Sequence, residues 1–267
     1  MEEVVEVARR TNLPVSEDCC HTFGGKAGGN LLGTFGTAAF FSSQWNKPYS
    51  TGLGGCALVR DEAVGEKVRQ QQEQFADPSV ASRFMLASQL LLHEMLVYPR
   101  TTAVATSAFR WLTHKGLVVG SSGQQEFDVT RPRDYALKPC RVQCRVGRQE
   151  IRRIGENLDR RRRATEFYLR ELPALGYRVP AMQPGWDAPL LRFPLRVANK
   201  GEALARSARF GVEIGSWFEC PLHPMETDLE RFGYRSGMCP QAERASREVI
   251  NLPTHRRVGE GDLRRTL

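Results

Sequence analysis

The fold is constrained most by two apolar runs near the start of the chain. Each run is followed by a polar residue that can take part in acid–base or nucleophilic chemistry. LPVSED ends in Asp18, and TAAFFSS ends in Ser42 and Ser43 and is followed by Lys47. Runs of this length and composition predict buried β-strands. In an open α/β sheet, ligands bind at the carboxyl ends of the strands. The sequence therefore predicts an α/β fold in which Asp18 and Lys47 reach the same rim of a sheet.

An acid, a lysine and a hydroxyl pair at one rim suit a particular kind of cofactor. A carboxylate can pair with a basic ring nitrogen, an amine can react with an aldehyde, and hydroxyls can bind a phosphate. Pyridoxal 5'-phosphate carries all three of these groups. Taken singly, a strand-end acid and a loop lysine are typical of an ordinary surface. Their combination with Ser42 predicts a pyridoxal phosphate site.

The same residues lie within longer motifs that resemble a known family. EDCCHTFGG, GTFGTAAFFSS, Lys47 and GLGGCALV, in that order, are similar to the DegT/StrS group of nucleotide-sugar aminotransferases, which are fold-type I pyridoxal phosphate enzymes. The resemblance implies that Asp18 holds the pyridine nitrogen and that His21 lies against the ring. It also implies that Ser42 binds the phosphate and that Lys47 is the lysine that binds the cofactor covalently and catalyses the reaction.

The resemblance extends to the C-terminus through LDRRRRATEFYLREL and CPQAERASREVINLPTH. It implies a partial large, pyridoxal phosphate-binding domain of mainly parallel sheet at 1–172 and a smaller α+β domain at 173–267. Trp217 and His223 stand where the family has an aromatic-Pro-His segment near the substrate, although a hydrophobic loop with a surface histidine is an equally good interpretation of His223 alone. The implied reaction transfers an amino group from glutamate to the keto group of a nucleotide-linked sugar, in a homodimer.

The remaining elements follow from hydrophobic periodicity and from breakers. Strands are predicted at 13–18, 37–43, 177–180, 189–197 and 212–218, together with CALV and an extended NLPTH. A loop is predicted at 117–135. Helices are predicted at 2–11, 61–75, 79–97, 102–115 and 201–211 and within CPQAERASREVI, with one long helix or two at 140–172 and a short last helix capped by Gly261 or Asp262.

The chain carries a formal net charge of +8, so it attracts anions. A nucleotide sugar and a nucleic acid are both anions, and residues 138–170 form the most basic segment. That segment has no aromatic platform, helix-turn-helix or finger spacing, so nucleic-acid binding is the weaker alternative. We predict that the run Arg160–Arg163 is a solvated helix face. Seven dispersed cysteines and the lack of a signal-peptide or membrane-spanning pattern indicate a cytoplasmic protein with reduced thiols.

A further alternative is a truncated, catalytically inactive family member. The resemblance begins part-way through the family's large domain, whose earlier strands supply a phosphate loop and a ring-stacking aromatic residue. Glu73 stands where the family carries an asparagine that reaches the partner's phosphate, and Lys138 lies near an expected arginine. A sheet that lacks several strands would expose an unpaired edge and apolar faces.

Overall fold

The structure is a computed structural model of the chain and describes residues 1–96, 131, 135–223 and 229–267. Most of these residues fall into two compact units. The first contains 1–95, 135–162 and 182–191, and the second contains 163–181, 192–223 and 229–267. The division into domains at 1–172 and 173–267 stays a prediction. The helix predicted at 102–115 and most of the loop predicted at 117–135 lie outside the described residues.

The elements of the described residues alternate between short strands and longer helices. The strands are β1 (Ser16–Asp18), β2 (Lys26–Ala27), β3 (Asn30–Leu31), β4 (Ala38–Ser42), β5 (Gly55–Val59), β6 (Trp186–Asp187), β7 (Arg192–Arg196) and β8 (Val249–Pro253). The helices are α1 (Glu2–Arg10), α2 (Glu62–Glu73), α3 (Val80–Leu96), α4 (Arg141–Arg152), α5 (Ile154–Ala174), α6 (Lys200–Arg209), α7 (Pro240–Glu248) and α8 (Glu260–Arg265), with a 3-10 turn at Leu229–Phe232. No helix in these ranges is both long and apolar enough to cross a membrane.

A three-stranded sheet in the order β1-β4-β5 forms the framework of the first unit. β1 runs parallel to β4, with Asp18 beside Phe40, and β5 returns antiparallel along the other side of β4. The strands predicted from LPVSED, TAAFFSS and CALV are thus confirmed. Both β1 and β5 are edges of this sheet, and Phe40 and Leu58 each remain 44% exposed.

The glycine-rich segment between β1 and β4 is fastened to β1 by a buried carboxylate. Glu17 accepts backbone N–H bonds from Gly33, Phe35 and Gly36, each at 2.8 Å. Gly33 has φ +92, and an added Cβ there would lie 2.5 Å from the ring of Phe41. The segment is thus a tight loop with several glycines at positive φ, and it also contains the short pair of strands β2 and β3.

The basic segment forms two helices, α4 and α5, and its charge run is not simply a solvated face. Arg160 agrees with the prediction, because it is exposed and forms an ion pair with Glu156. Arg161 contradicts the prediction, because it is 2% exposed and donates to the carbonyl of Leu191 at 2.9 Å. A buried guanidinium needs such acceptors. Here the acceptors are the backbone carbonyls of residues 190 and 191, which lie 29 and 30 residues after Arg161 in the chain.

The core of the second unit lies under the pair β7-β8. The most buried large side chains there are Tyr168, Leu172, Phe193 and Leu252, each exposed by 1% or less. The hydroxyl of Tyr168 donates to the carbonyl of Pro253 at 3.1 Å, which satisfies the one polar atom of that ring.

Three sequence predictions in the second unit are corrected. Residues 177–180 form no strand, and 212–218 contribute only the bridge between Gly215 and Asn251. At this bridge, Gly215 and Asn251 each donate a backbone N–H to the carbonyl of the other, at 2.8 and 2.9 Å. The last helix is capped by Gly259, not by Gly261 or Asp262, and the Asp262 carboxylate accepts the Gly259 N–H at 3.1 Å.

Candidate active site

Asp18 and Ser42 lie at the same rim of the first sheet because they end two parallel strands. Asp18 is paired in register with Phe40, and Ser42 comes two residues later on β4. Side chains alternate between the faces of a strand, so Asp18, Phe40 and Ser42 share one face. Glu17 points to the opposite face, toward the glycine loop. Adjacent acids on β1 therefore have different surroundings.

Lys47 lies on a closed loop that follows β4. The Ser43 carbonyl accepts the Thr51 N–H at 2.9 Å, and the Ser43 N–H donates to the Gly54 carbonyl at 2.9 Å. The loop therefore leaves and re-enters the sheet at one point. The buried hydroxyls of Ser43 and Thr51 lie 2.8 Å apart, and Thr51 Oγ1 also donates to Leu53 O. These bonds close the loop from within and hold the lysine near the strand end.

The helix α4 and the first part of α5 hold the same loop from outside. Gln143 of α4 donates its amide to Leu53 O at 3.0 Å. Asn157 of α5, 6% exposed, donates to the carbonyl of Pro48, directly after Lys47. Neither residue was predicted to support the site. Their partners lie 90 and 109 residues away, and no local pattern signals such a pair.

Asp18 is held as an anion by the turn that follows it. Cys20 N–H donates to Asp18 Oδ1 at 2.9 Å, and this bond is the main reason that the pKa of Asp18 is lowered. The nearby charges of His21 and Lys47 lower it further. The thiol of Cys20, which was not predicted to belong to the site, has its pKa raised to about 11 by burial and by Asp18. It is a neutral neighbour of the carboxylate.

Partial burial lowers the pKa of both His21 and Lys47, and the charges around them modify that effect. Burial is the main cause of the lowered pKa of Lys47, and Cys20 and Asp18 oppose it. His21 is accessible to solvent, yet partial desolvation and the charge of Lys47 lower the pKa of its imidazole. The structure therefore brings Asp18, His21 and Lys47 within range of one another's charge. An anionic acid next to a lysine that loses its proton readily is suited to binding a cationic ring that bears an aldehyde.

Gly147 of α4 determines how closely the Lys47 loop can approach the helix. An added Cβ would lie 2.5 Å from the hydroxyl of Tyr49 and 3.2 Å from Thr51. Tyr49 cannot tilt freely because it stacks on Phe23, with ring centroids 5.8 Å apart. We expect Gly147→Ala to lower the free energy of unfolding by about 1–3 kcal/mol through overpacking, despite the better helix propensity of alanine.

Gly155 supplies a matched control for this prediction. It lies in α5 with nothing within 4 Å of an added Cβ. Gly155→Ala should gain up to about 1 kcal/mol in the free energy of unfolding, which urea titration measures directly. If both alanine variants were stabilised, the close contact at Gly147 would be refuted.

Trp217 and His223 lie in the second unit. Their ring centroids lie 6.5 Å apart, and Phe218 contacts His223 edge-on at 5.3 Å. Arg192 lies over the ring of Trp217, with Cζ 5.6 Å from its centroid. His223 Nδ1 is buried and has no hydrogen-bond partner in the part of the chain that the structure describes.

Known proteins match the chain over nearly its whole length. The model of the DegT/DnrJ/EryC1/StrS aminotransferase family matches residues 1–90 and 102–267. A GDP-perosamine synthase of Caulobacter vibrioides is 24% identical over 275 aligned positions, covering 100% of this chain and 60% of that protein. A GDP-perosamine synthase of Escherichia coli O157:H7 is 42% identical over 67 residues, which are 25% of this chain and 18% of that protein.

Solved structures agree with the sequence matches. DesV of S. venezuelae superposes with a TM-score of 0.69 at 21% identity, covering 99% of this chain and 59% of that one. An aminotransferase of Brucella abortus superposes with a TM-score of 0.68 at 16% identity, covering 99% and 58%. The predicted fold class is thereby confirmed. Among the strands of the described residues, however, β1 and β4 pair parallel and the other pairs are antiparallel, so the expected mainly parallel sheet is not seen there. The chain spans about 60% of the length of the full-length relatives that it matches.

Proposed function

The chain belongs to the DegT/DnrJ/EryC1/StrS aminotransferase family, and we propose that it is a pyridoxal phosphate-dependent aminotransferase acting on a nucleotide-linked keto sugar. One observation carries the proposal. An anionic Asp18 and a Lys47 with a lowered pKa lie at one strand edge and influence each other's charge. A lysine on an ordinary surface keeps a pKa of about 10.4 and stays protonated at neutral pH.

The donor groups present fit pyridoxal phosphate. Asp18 would hold the protonated ring nitrogen, His21 would lie against the ring and the Ser42 hydroxyl would bind the phosphate. When bound, the cofactor supplies an electron sink for the pair left behind by a departing α-proton. Asp18 suits its task because the Cys20 N–H bond keeps the carboxylate anionic.

Lys47 would have two tasks, and the lowered pKa serves both. As a neutral amine, Nζ would hold the cofactor through its aldehyde. As a general acid–base group, Nζ would also accept the α-proton of the amino donor and deliver a proton to the carbon of the amino acceptor. The closed loop from Ser43 to Gly54 limits where the amine can reach.

The substrates follow from the relatives. A GDP-perosamine synthase of Caulobacter vibrioides aligns with the whole chain, which supports a nucleotide-linked sugar as the amino acceptor. Glutamate is proposed as the donor on the family resemblance alone. In the second unit, the Trp217 ring has a flat apolar face suited to a sugar, and the His223 ring lies beside it. We also propose that the enzyme is a homodimer and acts in the cytoplasm.

Reduction with borohydride in the presence of pyridoxal phosphate tests the proposal. We expect the purified chain to absorb visible light with the cofactor, and peptide mapping to find the reduced label on Lys47, not on the exposed Lys67. Because burial lowers the pKa of Lys47, its neutral fraction exceeds that of an ordinary lysine most at pH 7, and the selectivity shrinks toward pH 10. A folded chain without label on Lys47 would support the inactive-member alternative instead.

A further inference from the structure

Arg192 of β7 is a largely buried cation whose hydrogen-bond donors are unused. Its side chain is 19% exposed. A guanidinium has five N–H donors, and an enclosed one normally meets acceptors, as Arg161 does at the carbonyl of Leu191. Arg192, by contrast, donates no hydrogen bond to any residue that the structure describes. An enclosed guanidinium without acceptors indicates a place for an anion.

The acid beside Arg192 does not satisfy its donors. Glu213 Oε1 lies 3.7 Å from Arg192 Nη1, which is too long for a hydrogen bond. The other oxygen of this carboxylate accepts a hydrogen bond from His255 Nε2 at 2.8 Å. Burial lowers the pKa of Arg192, and the charge of Glu213 offsets that effect only in part. An anion in direct contact with the guanidinium would complete the compensation.

An aromatic ring with a fixed backbone holds the guanidinium in position. Arg192 Cζ lies 5.6 Å from the centroid of the Trp217 ring, which is a cation–π arrangement. The ammonium of Lys200 donates to the carbonyls of Ser216 and Phe218, on either side of Trp217, at 2.6 and 3.1 Å. The ring is therefore fixed before any anion binds, and such preorganisation lowers the cost of binding.

Gly215 leaves a small polar space open beside the guanidinium. An added Cβ there would lie 3.2 Å from Arg192 Nη1 and 3.4 Å from Asn251 Oδ1, so a side chain would press between the two groups. Asn251 is 9% exposed, and its buried Oδ1 has no hydrogen-bond partner among the described residues. Two polar side chains with unused hydrogen-bonding atoms thus border the same space.

We propose that Arg192 and Asn251, on either side of Gly215, form a binding site for a carboxylate or phosphate group of a small organic anion. The planar guanidinium binds either group through two parallel N–H bonds. Asn251 Oδ1 is an acceptor, so the ligand also carries an O–H or N–H group near the anionic one. The site does not depend on the cofactor chemistry, but the assignment of its anion to a substrate rests on the proposed function. An amino donor would supply a carboxylate, and a nucleotide-linked sugar would supply a phosphate.

Isothermal titration calorimetry tests the proposal with glutamate and inorganic phosphate as separate probes. The purified full chain is titrated without pyridoxal phosphate, and chloride keeps the ionic strength constant. We expect saturable binding of at least one probe, with a dissociation constant of about 1 mM or below. Arg192→Gln should raise that constant about 10-fold or more, because the charge-assisted bonds are lost. Arg192→Lys keeps the charge but loses the paired donors, and it should also weaken binding.

Gly215→Ala tests the space itself. Its Cβ would enter the gap between Arg192 and Asn251, so binding should weaken although both polar residues remain. Arg196→Gln is the matched control, because Arg196 lies on the same face of β7, is 53% exposed and is 3.8 Å from Glu248. It should bind like the parent chain, and circular dichroism confirms that each variant is folded.

The probe that binds identifies the source of the anion. Binding of glutamate supports the carboxylate of an amino donor, and binding of phosphate supports the phosphate of a nucleotide sugar. The proposal would be overturned if neither probe bound saturably, or if folded Arg192→Gln bound as tightly as the parent chain. Because the borohydride label on Lys47 is measured separately, a failure of this site is distinguishable from a failure of the proposed cofactor chemistry.

Discussion

Replacing Lys47 with alanine should abolish both the covalent attachment of pyridoxal phosphate and glutamate-dependent amino transfer. In the proposed mechanism the amine binds the aldehyde and also moves the α-proton. We expect no other described side chain near Asp18 to replace both functions. We expect the rate of the half-reaction with glutamate, followed by the change in cofactor absorbance, to fall by about 10⁴-fold.

Lys47→Arg separates the chemistry of the amine from its charge. A guanidinium keeps the positive charge near Asp18 but stays protonated and cannot attack an aldehyde. It should therefore be as inactive as the alanine variant. Lys67→Ala, an exposed lysine on α2, should leave the rate unchanged. Substantial activity in Lys47→Arg would show that the charge, not the free amine, is what the site requires.

The parts of this site that could be predicted from the sequence are those encoded locally. An apolar run followed by Asp18, and another followed by Ser42 and Lys47, predict strand ends without knowledge of the rest of the chain. Parallel pairing then brings the ends to one rim. The structure adds the register, Asp18 beside Phe40, which puts Asp18 and Ser42 on one face.

The supporting contacts could not be predicted, because they join distant segments. Asn157 and Arg161 lie one helical turn apart on α5, and both belong to a segment whose composition indicates a solvated face. The structure buries them because one donates to the carbonyl after Lys47 and the other to the 190–191 backbone. Burial of a polar residue depends on whether an acceptor meets it, and charge pattern alone does not reveal that.

Glu17 shows the same limit at the strand itself. Strand alternation implies that Glu17 and Asp18 point to opposite faces, but it does not show what Glu17 meets. Three backbone N–H groups from the glycine loop converge on its carboxylate. This acid stabilises the loop between β1 and β4, and so stabilises the spacing of the two strands that carry the site.

Glu17→Gln should cost the protein about 2–5 kcal/mol of unfolding free energy. The variant has nearly the same shape, but its amide turns an N–H group toward buried N–H donors and the charge that strengthens the three bonds is lost. For a domain stable by about 5–15 kcal/mol, this is a large fraction. Urea unfolding measures it, with the exposed Glu166→Gln as a control that should change by less than about 0.5 kcal/mol.

The neighbouring variant Asp18→Asn should behave in the opposite way. Its amide oxygen can still accept the Cys20 N–H, so the stability should change little, but the negative charge for a cationic ring nitrogen is gone. Pyridoxal phosphate binding and amino transfer should therefore fall in Asp18→Asn, while folded Glu17→Gln retains them. If Asp18→Asn lost stability and kept activity, the roles assigned to the two faces of β1 would be reversed. We therefore expect the two adjacent acids to have different tasks, Glu17 in stability and Asp18 in cofactor binding, because the strand places their side chains on opposite faces.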